Sequence, residues 1–183
     1  MTRADRRPAA AWVFLPVAGM PIAHGPVLSL DLLRALKRPI HAWAFGANKT
    51  WRGAVVMGGG TLLAALALDR VPAYRERLPP EVLAAGPARV GAILGLAVWL
   101  GELPNSFVKR RLGIAPGSQR RTPAGYAISL YDQADWVPVA VLLLRPVWRM
   151  SWREMVQVFA VVVAVHLPVN VVGYAIGART SPI

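Results

Sequence analysis

The chain has no cysteine, which excludes a disulfide framework and any thiolate metal site, so it must hold itself together by packing. Carboxylates are scarce: nine Asp and Glu stand against 21 Lys and Arg, for a formal charge of +12. The stripes of period 3.6 that a soluble helical domain would show are missing, because the apolar stretches are apolar all round. Internal repeats and low-complexity tracts are also missing, so residues 1–183 read as one domain. What the chain does have is apolar surface, with 55% of its 183 residues hydrophobic. That share, beside a charge of +12, requires the two to be segregated into blocks, and blocks of this kind read as membrane spans. Nucleic-acid binding is disfavoured, since the charge lies in loops beside the spans.

About five spans are expected, which makes the fold an all-α integral membrane protein. The last, near 155–177, is long enough for about 30 Å of hydrocarbon at 1.5 Å per residue. Those near 53–70 and 86–104 follow, the first opening with Gly58, Gly59 and Gly60, which let helices approach closely and would permit a homo-oligomer. The span near 134–150 carries Trp136 and Trp148 near its ends, as interfacial residues do. The stretch near 10–30 is interrupted by Pro16, Pro21 and Pro26, and with its basic start it reads as an uncleaved first span.

With five spans the segments 31–52 and 104–133 fall on one side of the membrane and can build one site. Lys and Arg divide almost evenly between the two sides, so charge does not set the orientation. Lys37, Lys49 and Lys109 all lie in these two segments, compatible with a cytosolic face.

The chemistry is concentrated in residues 101–135, GELPNSFVKRRLGIAPGSQRRTPAGYAISLYDQAD. Lys109, Arg110, Arg111, Arg120 and Arg121 can neutralise a polyphosphate, and Asp132 with Asp135 can hold the divalent cation that accompanies it. The bland alternative is helix capping, with Asp132 at the N-cap and Asp135 in the first turn. Glu102 and Ser106 are expected to close the third span within reach of the site. In the earlier segment, GANKTWRG (Gly46–Gly53) lacks the spacing of a nucleotide-binding P-loop. It leaves a glycine-rich turn with Lys49, Thr50 and Arg52 at a helix start, suited either to a phosphate or to lipid headgroups.

Together these residues resemble the CDP-archaeol synthase family. The resemblance rests on Gly-x-x-Lys-Thr-x-x-Gly at 46–53, the run Gly-acid-x-x-x-Ser-Phe-x-Lys-Arg-Arg-x-Gly-x-x-x-Gly at 101–117, and Asp-Gln-x-Asp at 132–135. His166-x-x-x-Asn170-x-x-Gly173-Tyr174 in the last span adds to it. The resemblance implies a multi-pass cell-membrane enzyme, its site facing the cytoplasm, that uses Mg²⁺ to transfer a cytidylyl group from CTP to a lipid phosphate. In archaea that lipid would be digeranylgeranylglyceryl phosphate. It further implies that Asp132, Asp135 and Glu102 hold the metal, and that Lys49, Lys109, Arg110 and Arg111 are the catalytic cations. Asn48, Thr50, Arg52, Ser106 and Gly117 would contact substrate. Two positions depart from the family pattern: Glu102 stands where Asp is usual, and Pro39-Ile40-His41 replaces Pro-Ile-Asp. They leave open a divergent member that binds lipid phosphate without catalysis. A small transporter of phosphorylated compounds is a weaker alternative, because the cations cluster in loops rather than at the midplane. His41 and His166 are expected to be structural.

Overall fold

A computed structural model describes residues 6–116 and 122–175, and among these the chain is helical throughout. The order is α1 (Arg6–Phe14), a 3₁₀ turn (Leu15–Ala18), α2 (Gly19–Ser29), a second 3₁₀ turn (Arg34–Leu36), α3 (Ala42–Phe45) and α4 (Trp51–Leu68). There follow α5 (Pro72–Arg75), α6 (Pro80–Ala85), α7 (Pro87–Arg111), α8 (Pro123–Asp132), α9 (Trp136–Leu144) and α10 (Trp152–Ala175). An isolated antiparallel bridge pairs Pro39 with Thr50.

Among the described residues, three stretches are long and apolar enough to cross a membrane: Ala9–Ser29, Trp51–Leu68 and Pro87–Arg111. A fourth is added if α8 and α9, bent by 43° at their junction, form one span. The expected count of about five is therefore met only to this extent. The stretch expected near 155–177 falls on α10, a single 24-residue helix.

Prolines explain why helix ends differ from those read in the sequence. Pro16 opens the 3₁₀ turn and Pro21 lies in the first turn of α2, where no intrahelical N–H is needed, so only Pro26 interrupts the ladder of this span. Pro104 does not end the third span either. Helix α7 carries it internally and runs on to Arg111, about 37 Å at 1.5 Å per residue, so its last turns project beyond a hydrocarbon layer of about 30 Å. Much of the segment expected as a loop at 104–133 is thus helix. At the start of α10, Ser151 and Glu154 form a capping box: the Ser151 backbone N–H and hydroxyl both donate to Glu154 Oε2 at 2.7 Å, and Ser151 Oγ accepts from Glu154 N–H at 3.3 Å.

Glycines set the distances between the spanning helices. A Cβ on Gly95 of α7 would stand 2.6 Å from the Gly58 carbonyl oxygen of α4, and one on Gly60 would stand 2.7 Å from the Gly19 carbonyl oxygen of α2. Gly58 and Gly60 are thus engaged within the chain, through the close backbone approach that small residues allow, while a Cβ on Gly59 between them would meet nothing within 4 Å. Gly101 of α7 meets the backbone of Trp136 at the start of α9 in the same way. Around these contacts Val13, Leu94, Val98, Val137, Leu144 and Trp148 are fully buried. Phe14 packs its ring 5.5 Å from that of Trp136. This places the start of α9 firmly against α7, where the candidate site lies.

Candidate active site

Two clusters meet along one face of α7. The first is a cavity of about 560 Å³ between α2, α4, α7 and the loop before α4. Asn48, Lys49, Thr50 and Arg52 line it, together with Glu102 from α7. Thr50 is the N-cap of α4, its Oγ1 accepting from Gly53 N–H at 3.2 Å, which points the helix start and its partial positive charge toward this space. Lys49 forms an ion pair with Glu102, 53 residues away, joining the two motifs. His41 has a structural part: its Nδ1 caps α3 by accepting from Ala44 N–H at 3.2 Å.

Arg52 is buried, and its guanidinium is taken: Nη1 donates to Asp31 Oδ1 at 2.7 Å and to the Leu32 carbonyl at 3.3 Å. Asp31 also pairs with Arg34 at 2.9 Å and Lys37 at 3.5 Å. The hydrogen bond from Arg52 is the largest effect holding the Asp31 carboxyl below the usual carboxylate range, with Lys37 and Arg34 adding to it. Because the folded-state value is depressed, the pairing stabilises at pH values above the range where an unfolded Asp titrates. That contribution is lost as pH falls through the lowered folded value. Asp31→Asn is therefore expected to lower the melting temperature in detergent at neutral pH and to flatten its decline on the acid side, as a pH series of melting curves would show.

The second cluster is built around Asn105. This buried side chain donates through Nδ2 to Asp132 Oδ1 at 2.6 Å and to Asp135 Oδ2 at 2.9 Å, drawing both carboxylates to one point. Lys109 Nζ lies 2.6 Å from Asp132 Oδ1. Glu102, Asn105 and Lys109 are spaced by three and four residues on α7, so they share a face. The capping alternative for the aspartates does not hold. Asp132 is the last residue of α8, where the helix dipole disfavours a carboxylate, and Asp135 occupies the N-cap position of α9 with no capping bond from its side chain. The two therefore flank a break rather than sharing the first turn of one helix, and their side chains point to Asn105.

Arg110 has buried Nε and Nη1 atoms with no hydrogen-bond partner among the described residues. An ungratified guanidinium of this kind is suited to an anion. Arg111 is directed elsewhere: it lies 3.8 Å over the Trp43 ring and donates to the Trp43 carbonyl at 3.0 Å. Ser106 is buried on α7 beside Asn105. Gly117, Arg120 and Arg121 lie outside the described residues, as does the side chain of Asn170. Asn105 is the site residue that sequence reading missed; its available signal was its place three residues after Glu102 on the same helical face.

No three of the His, Asp and Glu side chains among the described residues come together as a metal cage. The donor chemistry here is two aspartates sharing one amide, which fits a hard cation held by one or two carboxylates and completed by phosphate oxygens and water.

Among the described residues, fold and site together define a helical protein with helices able to cross a membrane, and with paired carboxylates and cations converging beside a cavity of about 560 Å³. The family of CarS-like CDP-archaeol synthases matches residues 41–182, and the chain belongs to it. It is similar to the CDP-archaeol synthase of Halobacterium salinarum, 33% identical over 144 residues covering 75% of each chain. It is also similar to those of Thermococcus gammatolerans, 31% identical over 75% of this chain and 72% of the relative, and Methanococcoides burtonii, 30% identical over 90% of each. No solved structure matches the chain.

Proposed function

We propose that the chain transfers the cytidylyl group of CTP to the phosphate of a membrane lipid, archaeol-type or another, giving a CDP-lipid and pyrophosphate. The observation that carries this reading is the convergence on Asn105 of Asp132, Asp135 and, through Asp132, Lys109, on the helix whose Glu102 reaches Lys49 and the cavity. Family membership supports it.

The reaction joins two anions. An oxygen of the lipid phosphate attacks the α-phosphorus of CTP, a P–O bond forms, the bond to the β-phosphate breaks, and its electrons leave with pyrophosphate. The nucleophile is already ionised near neutral pH, so the protein's work is to offset repulsion and to align the groups. Lys49, Lys109 and Arg110 supply positive charge, and Asn105 keeps the two aspartates in register. Asp132 and Asp135 would hold Mg²⁺, with Glu102 reaching it through water. Bound there, the ion would neutralise the triphosphate charge that develops on the leaving group. In the membrane, α8 with α9 and then α10 complete five spans, and the site, at the bend of the α8–α9 pair, opens to the cytoplasmic side of the cell membrane.

Thermal stabilisation by nucleotide tests the assignment. CTP is expected to raise the melting temperature of the purified protein only when Mg²⁺ is present, and Asp132→Ala to lose that response. Equal stabilisation of wild type and variant would count against a metal held by these carboxylates.

A further inference from the structure

The cavity has a wall that none of the motifs supplies. His24 of α2 and Lys37 of the loop following it both line this space, together with Lys49 and Glu102. The loop is tied to the site by backbone pairing: Ile40 N–H donates to the Lys49 carbonyl at 2.8 Å, and Trp51 N–H to the Arg38 carbonyl at 3.1 Å. Lys37 is therefore held close to the Asn48–Thr50 turn. Its ion pair with Asp31 is long, at 3.5 Å, and its side chain is 58% exposed, so it can swing to an arriving anion at little cost. Arg52, by contrast, is committed to Asp31 at 2.7 Å and buried. An ionisable side chain on a spanning helix, as His24 is, marks a functional position unless a structural partner explains it.

The remaining lining is apolar, with Met20, Leu28, Met57, Trp99 and Leu103 contributed by three spanning helices. A ligand that satisfies both walls carries an anionic head on an apolar body. A nucleoside triphosphate has the head but carries a polar sugar and base in place of an apolar chain, and its metal-binding oxygens fit the aspartates beside Lys109.

Resting on the function proposed above, we propose that His24 and Lys37 receive the phosphate of the lipid substrate in this cavity, while CTP occupies the Asn105–Asp132–Asp135 side. The Lys49–Glu102 pair then stands between the two substrates.

Equilibrium binding without turnover tests this partition and does not depend on catalysis. Wild type, His24→Gln and Lys37→Gln are titrated separately with a dialkylglycerol phosphate in mixed micelles and with CTP plus Mg²⁺. Each variant is expected to bind the lipid phosphate about tenfold more weakly, the loss of one charge-assisted hydrogen bond, with CTP affinity unchanged. Unphosphorylated dialkylglycerol should bind wild type and variants alike, and glycerol phosphate should compete only weakly, separating a lipid headgroup from a free phosphate. Weaker CTP binding with lipid binding intact, or no change in either, would overturn the assignment. Because Lys37 is exposed, its variant remains informative should His24→Gln fail to fold. If the binding pattern appears but wild type makes no liponucleotide, the proposed reaction fails and this site stands.

Discussion

Asp135→Ala is expected to lower kcat/KM for CDP-lipid formation by about 10³-fold or more, the scale on which a precisely aimed electrostatic group or metal ligand acts, with the fold intact. Asp135 is 4% exposed and caps nothing, so its removal takes no bond from α9. The Asn105 amide still has Asp132 as a partner, and a buried carboxylate is gone from beside the exposed Asp132, so stability should hardly fall. A purely structural Asp135 would give the reverse pattern, a lowered melting temperature with residual activity in proportion to folded protein. Melting curves and initial rates on the same preparation separate the two outcomes.

Gly101→Ala is expected to damage stability and activity together. The added Cβ would fall on the backbone of Trp136, with the Trp136 Cβ at 2.8 Å and its N at 3.0 Å. Backbone cannot move aside as the end of a flexible side chain can, so α9 must shift away from α7. The residue before Trp136 is Asp135, and a displacement of about 1 Å in a group that positions substrate costs about 10²-fold in rate. We expect a loss of that order in kcat at saturating CTP, alongside a melting temperature lowered by several degrees, as overpacking between helices produces. Gly59→Ala is the control: a Cβ there meets nothing within 4 Å, so both quantities should stay near wild type. Loss of stability with full specific activity in Gly101→Ala would show that the α7–α9 contact does not set the site.

Much of this architecture was legible in the sequence because apolar blocks and charged motifs are local features. The stretches at 10–30, 53–70 and 86–104 coincide with helices able to cross a membrane, and the meeting of the two motif segments is visible in the Lys49–Glu102 pair. What was illegible depended on partners distant in sequence. Asn105 carries no charge to draw notice, and its meaning comes from carboxylates 27 and 30 residues away. Arg111 sits in an Arg-Arg pair that reads as one unit, yet Trp43, 68 residues before it, draws it out of the site. Pro104 looks like a helix end, but α7 continues through it because the packing around Gly101 and Asn105 outweighs one missing backbone bond. The bend between α8 and α9 likewise separates two aspartates whose spacing suggested a single helix turn.

The departure at Glu102 acquires a physical sense from this arrangement. Its longer side chain meets Lys49 across the interface between α7 and the loop before α4, which links the cavity to the carboxylate cluster. A divergent family member can keep its site assembled in this way.

The central claim is tested most directly by incubating the purified protein in detergent with radiolabelled CTP, Mg²⁺ and a panel of lipid phosphates, then following label in the lipid phase and pyrophosphate in solution. The account predicts a labelled CDP-lipid from at least one of them, one pyrophosphate released per product, and loss of both with Asp135→Ala. No labelled lipid from any phosphate, with wild type indistinguishable from Asp135→Ala, would contradict it.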